Sequence, residues 1–262
     1  RSTERSAEGG STAGPRAISA DENRFARVLG PLREARDNPQ PPPAAPRMIA
    51  SRSNPIPNEA ITIDGNFDDW QFIKMYPDDP ADDATKNPKI SVDLIRAGIA
   101  HDDVFLYFMF EQAHASEPFS KYSPTTYLDT DLRPTTGFRI GKEPFVETYP
   151  IPIGAEYAVA GPKARYAFDV DGKRSDEGLF FGWRGLDYAV SSDKRKAEFR
   201  IPQVFLGYPM EFHVIWVADN TSNAAEDQRG VIDYYPNEAG DAEIQGFFHY
   251  SIRGGPATKR KR

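Results

Sequence analysis

Residues 60–70 read Ala-Ile-Thr-Ile-Asp-Gly-Asn-Phe-Asp-Asp-Trp, and residues 102–111 read Asp-Asp-Val-Phe-Leu-Tyr-Phe-Met-Phe-Glu. The first stretch predicts a strand over 61–64 stopped by Asp64-Gly65, a pair suited to a tight turn. Phe67 and Trp70 follow three residues apart, so one helical turn presses both rings against the strand they follow. Asp64, Gly65, Phe67 and Trp70 therefore have a structural role, sealing one end of a core. Residues 90–100 read as a second strand, with Ile90, Val92 and Leu94 on one face and Ser91 and Asp93 on the other. His101-Asp102-Asp103 turns it into a third strand over 104–110, which makes a hairpin.

Further strands are expected over 126–131, 155–160, 164–170, 179–183, 197–199, 211–218 and 243–252, with Asp171-Gly172-Lys173 as the clearest later hairpin turn. The strand over 211–218 places Phe212, Val214 and Trp216 on one face and His213, Ile215 and Val217 on the other. Apolar on both faces, it belongs at the centre of a sheet. No internal period repeats the strands, which argues against a propeller or solenoid. About ten short strands with almost no long helix indicate an all-β, two-sheet antiparallel sandwich carrying an extended N-terminal arm with a short helix, with a barrel or a jelly roll as the alternative topologies.

Composition narrows the function. With 262 residues and 39% hydrophobic content the chain can bury one large β core. It has no cysteine, which removes disulfides, thiolate nucleophiles and cysteine-held clusters. No run of apolar residues is long enough to cross a bilayer as a helix, so any membrane association is peripheral, through a complex. The net charge of −7 is unevenly spread. Residues 1–55 hold nine Arg against six acids and the last four residues are Lys-Arg-Lys-Arg, leaving the body near −14. An acidic body is a poor nucleic-acid surface. The basic tail over 255–262 reads as a solvated terminus or a contact for an acidic neighbour.

Within the arm, Ser19 and Glu22 have the form of a capping box, and Phe25, Val28, Leu29 and Leu32 follow at helical spacing. Gly30-Pro31 weakens that helix, and the proline run from Pro41 to Pro43 favours an extended conformation. A helix this short is marginal alone and needs a surface. The four apolar residues are its docking anchors, ringed by Arg24, Arg27, Arg33 and Arg36, and the partner is another protein subunit or the β domain itself.

The order of short motifs carries a family resemblance. It runs through Ile63-Asp64-Gly65-Asn66-Phe67-Asp68-Asp69-Trp70, Asp93-Leu94, His101-Asp102-Asp103 with Leu106-Tyr107-Phe108, and Leu128-Asp129-Thr130-Asp131. It continues through Thr136-Gly137-Phe138, Gly154-Ala155-Glu156-Tyr157 and Phe199-Arg200-Ile201-Pro202. Over about residues 58–252 the chain resembles the DOMON-like superfamily, especially modules similar to family-9 carbohydrate-binding modules. The resemblance implies an exported β-sandwich that binds sugar, binds haem b as an electron-transfer subunit, or serves as a non-catalytic accessory domain. Fold membership does not choose among these.

Side chains weigh the three differently. For sugar, Trp183 beside Gly182, Arg184 and Gly185 is the best aromatic platform, with Arg184, Arg133 and Asp129 as hydroxyl partners. The resembled modules clamp a sugar between two tryptophans, and no second ring matches here. Haem b would need axial ligands from Met75, Met109, Met210, His213 or His249, all of which read more simply as core or surface residues, so haem is not expected. Calcium fits better than zinc, because carboxylates are many, histidines number four and cysteine is absent. Asp129 and Asp131 can face the same side of their segment, and Asp64, Asp68 and Asp69 form a second group. Arg133 breaks any EF-hand pattern after Asp129. No nucleophile, base and orienting acid come together, so the chain is not expected to be an enzyme.

The organisation expected is a docking arm over 1–55, a sandwich over 56–254 and a basic tail. The expected function is that of a non-catalytic extracytoplasmic accessory subunit, periplasmic or secreted, in a multiprotein assembly of the membrane-bound electron-transfer or photosynthetic kind; the alternative is a carbohydrate-binding module. Deleting residues 1–55 is expected to leave a folded β domain and to release it from its partners, read by thermal unfolding beside co-purification. A truncated chain that still assembles with native affinity would sink the docking role.

Overall fold

Burial on both sides of two strands dictates the architecture. This computed structural model describes residues 47–81, 93–114, 124–140, 150–162, 164–175, 185–219, 231–236 and 246–252. Strand β3 (Phe105–Gln112) is buried along nearly its whole length, and in β12 (Glu211–Asp219) successive residues from Val214 to Ala218 are all buried. Side chains alternate sides along a strand, so each of these strands needs a covering layer above and below.

Among the described residues, three sheets supply the frame. The largest has eight strands in the order β1 (Arg47–Arg52), β14 (Gly246–Ser251), β12, β4 (Thr125–Asp129), β7 (Tyr157–Ala160), β8 (Ala164–Phe168) and β9 (Arg174–Ser175), with β13 (Val231–Tyr235) also on β12. The second has four, β10 (Asp187–Val190), β11 (Lys196–Pro202), β3 and β2 (Leu94–His101). A third pairs β5 (Phe138–Ile140) with β6 (Pro150–Ala155).

The main core lies between the two larger sheets. Leu106, Phe108 and Phe110 of β3 and Phe199 of β11 belong to one cluster with Phe212, Val214 and Trp216 of β12 and with Leu128, Phe248 and Tyr250. The Phe108 and Phe199 rings stack at 4.8 Å. On the far side of the large sheet, Ile215, Val217 and Tyr234 pack with Ile153 and Ala155 of β6 and with Phe138. On the far side of the four-stranded sheet, Ala100, Tyr107 and Met109 pack with Ile61 and Trp70.

Several expectations change. The sandwich has three sheets rather than two, because the apolar outer side of β12 draws a small sheet onto it. β1 runs parallel to β14, inside the stretch that the sequence assigned to the arm. A clean truncation of the arm therefore ends before residue 47. Residues 61–64 form no strand, since their backbone crosses the four-stranded sheet as a cover instead of joining its edge. The helical elements among the described residues are two 3-10 turns, Asp68–Trp70 and Gln203–Leu206. None is long and apolar enough to cross a membrane. Phe25, Val28, Leu29 and Leu32 lie outside the described residues, as do Trp183 and Arg184.

The cover over 61–70 is fastened by one buried carboxylate. Glu198 of β11 accepts hydrogen bonds from the Asp64 amide at 3.1 Å, the Gly65 amide at 2.8 Å and the Trp70 indole at 2.8 Å. Burial raises the Glu198 carboxyl above its ordinary range and the three donors oppose that rise. Gly65 has φ +83°, and a Cβ there would lie 2.7 Å from the Val190 carbonyl oxygen, so both the turn and the close approach require glycine. Replacing Trp70 by Ala should cost about 3 to 5 kcal/mol in urea unfolding. Trp70→Phe, which removes the N–H but keeps most of the packing, should cost less. An unchanged unfolding midpoint for Trp70→Ala would contradict this fastening role.

Candidate metal centre

Three carboxylates meet at one end of the large sheet. Asp129 closes β4 and is fully buried, Asp131 stands two residues on and is exposed, and Glu156 occupies the corner between β6 and β7. The register pairs Leu128 with Tyr157, which sets Asp129 and Glu156 as neighbours across the strands. One carboxylate oxygen from each of the three lies within 4.8 Å of the others.

Their hydrogen bonds are unequal. Asp131 Oδ1 accepts from the Arg133 amide at 2.9 Å, and the Thr136 hydroxyl donates to Oδ2 at 2.9 Å, which closes the loop over 131–136. Glu156 Oε2 accepts from the Thr130 amide at 2.7 Å and more weakly from its hydroxyl at 3.2 Å. Asp129 Oδ2 pairs with His213 Nδ1 at 3.2 Å. Asp129 Oδ1 and Glu156 Oε1 are buried without a hydrogen bond. Gly137, at φ +68°, leaves room beside them: a Cβ there would come within 2.9 Å of Glu156 Oε1 and 2.5 Å of the Ala155 carbonyl oxygen.

Two bare buried carboxylate oxygens beside a third carboxylate are costly as they stand. Burial, followed by the charges of Asp129 and Asp131, pushes the Glu156 carboxyl up to about 7. A divalent cation would relieve both the repulsion and the missing bonds. The donor set is all oxygen and His213 is engaged by Asp129, so a hard ion such as calcium fits and a nitrogen- or sulfur-seeking ion does not. Asp129 Oδ1, Asp131 and Glu156 would hold it, and the rest of its shell would come from backbone carbonyls or water.

The sequence named Asp129 and Asp131 and missed Glu156, whose place depends on strand register. Arg133 lies in the same loop with its side chain exposed. Asp64, Asp68 and Asp69 do not converge with a third ligand among the described residues. Asp64 instead accepts from the Asn66 amide within the turn, and Asp69 accepts from the Thr62 amide across the loop. The haem candidates are dispersed. Met75 and Met109 pack with Trp70 outside the four-stranded sheet, Met210 is exposed, and His213 and His249 are on the large sheet.

No family model matches this chain, and no curated protein matches it in sequence. Solved structures similar to it include two modules of one kind. One is a carbohydrate-binding module of family 9 from Caldicellulosiruptor kristjanssonii in complex with glucose, at TM-score 0.42 and 14% identity, covering 80% of this chain and 98% of that one. The other is such a module from the same organism in complex with cellotriose, at TM-score 0.43 and 13% identity, covering 79% of this chain and 96% of that one.

Two measurements check the centre. Calcium at about a hundred times its dissociation constant should raise the melting temperature by about 5 to 10 °C, and Asp129→Asn should abolish the rise. In metal-stripped protein Glu156 keeps its proton up to about pH 7, whereas an unfolded chain releases it near the ordinary 4.5. The folded state therefore binds more protons than the unfolded state across that window. Stability of the stripped protein should fall as pH rises from about 4.5 to 7 and then level off. Glu156→Gln should flatten that slope; a slope unchanged by the substitution would contradict the assignment.

Proposed function

We propose that the sandwich is a non-catalytic, calcium-dependent carbohydrate-binding module working outside the cytoplasm. The observation that carries this reading is Asp129: a wholly buried carboxylate with one oxygen held by His213 and the other bare, in a group with Asp131 and Glu156. A cation there would order the loop over 130–137 that presents Arg133 at the surface. One carboxylate of the group is exposed to solvent, which suits the weak sites of extracellular modules, tuned to calcium of about 0.1 to 1 mM.

Spacing supports the non-catalytic reading. Glycoside hydrolysis uses two carboxylates about 5 to 9.5 Å apart with substrate or water between them. Here the three carboxylates crowd together and Asp129 is wholly buried, so it cannot reach a sugar. An acidic body also disfavours phosphate-bearing partners, whereas neutral hydroxyl ligands are unaffected by it. The accessory-subunit reading rests on Phe25, Val28, Leu29 and Leu32, outside the described residues, and its truncation test ends before residue 47 so that β1 is kept.

Affinity electrophoresis of the full chain through gels containing soluble glucans and xylans tests the module directly. Retardation with calcium and free migration after chelation are expected. Equal mobility in every gel with calcium present would overturn the carbohydrate reading.

A further inference from the structure

The outer side of the large sheet changes character beyond the small sheet. Toward β4 it is apolar, with Tyr127 and Ile215 packed under Phe138, Ile153 and Ala155. Toward β1 a row of polar residues crosses the strands in register: Ser51 pairs with His249, His249 with His213, and His213 with Asp129. The row is linked by side chains. Ser51 Oγ lies 2.8 Å from His249 Nδ1, His249 Nε2 lies 3.4 Å from Glu211 Oε2, and His213 holds Asp129. A second row runs beside it, with Met48 paired to Phe247. Ser51 is exposed, Met48 is 54% exposed, and the Glu211 side chain is 40% exposed. The His213 ring packs on Phe247 at 4.2 Å between centroids.

We propose that this strip, formed by Ser51, His249 and Glu211 with Met48 and Phe247 alongside, is the face on which the carbohydrate lies. The proposal rests on the module reading and adds where its ligand binds. A sugar ring is amphipathic, with hydroxyls at its rim and C–H groups on its faces, and the two rows match that division. Hydroxyls donate and accept, as do Ser51 and a neutral imidazole, while Glu211 accepts. Met48 and Phe247 give the C–H groups an apolar floor. Among the described residues the strip carries no Lys or Arg, which disfavours sulfate or phosphate groups, and its apolar row is too narrow for a lipid surface. Strands about 4.8 Å apart spread β1, β14, β12 and β4 over about 14 Å, enough for a short oligosaccharide. The Asp129–His213 contact joins this face to the cation group, so one module would hold both.

The test uses the full chain in calcium, with cellotriose and soluble xylan as probes. Ser51→Ala, His249→Ala and Glu211→Gln should each weaken binding of the retained probe by roughly tenfold, the effect of losing one hydrogen bond to a charged or well-placed partner. Their calcium-induced rise in melting temperature should stay as in the natural chain, which shows that they fold and keep the cation group. Backbone amide resonances of Met48, Phe247 and His249 should shift on adding the probe. If the natural chain retains a probe and all three variants retain it equally, the strip is not the binding face and the module reading survives. If the natural chain retains neither these probes nor any of the glucans and xylans, the module reading fails and the strip assignment with it.

Discussion

Strand β12 must be covered on both sides, and most of the molecule follows from that requirement. Phe212, Val214 and Trp216 face the four-stranded sheet, and Ile215 and Val217 face β5 and β6. Each fully buried side chain of this size contributes about 1.5 to 3 kcal/mol by leaving water. Leaving the outer face of β12 bare would forfeit that gain over several residues. The same logic brings the segment with Ile61 and Trp70 over β3, whose Tyr107 and Met109 would otherwise be exposed.

Covers of this kind bring loop backbone and polar side chains out of water, and buried carboxylates serve as their anchors. Glu198 takes three donors from the cover at 64–70. Asp102 does the same at the β2–β3 turn, accepting from the amides of Val104, Phe105 and Glu59 and from the Tyr107 hydroxyl. Burial alone would raise the Asp102 carboxyl, yet these bonds hold it below its ordinary value. Asp129 is as deeply buried as Glu198 but is satisfied on one oxygen only. What sets the bare Asp129 oxygen apart is its company: Asp131 and Glu156 each bring a carboxylate oxygen within 4.8 Å, an arrangement that could hold a cation.

What could be read from the sequence was local. Alternation in 211–218 identified a central strand, and Asp64-Gly65 identified a turn whose left-handed glycine is confirmed by its φ of +83°. Non-local features were hidden. The stretch over 61–64 alternates like a strand but serves as a cover, since pattern reports which side is buried and not whether the backbone joins a ladder. β1 lies in a proline-adjacent arm and pairs with residues some two hundred positions away. β10, with four residues, is too short for a periodic signal. At the metal centre, Asp129 and Asp131 were visible as a pair, whereas Glu156 joins them only through the β4–β7 register, and His213 through β12.

The central claim concerns the bare oxygen of Asp129, and a crystal structure of the protein grown in calcium addresses it most directly. The account predicts an anomalous peak bonded to Asp129 Oδ1, Asp131 and Glu156 at calcium–oxygen distances of about 2.3 to 2.6 Å. A map with no ion there, in which ordered water or a protonated Glu156 satisfies Asp129 Oδ1, would contradict it.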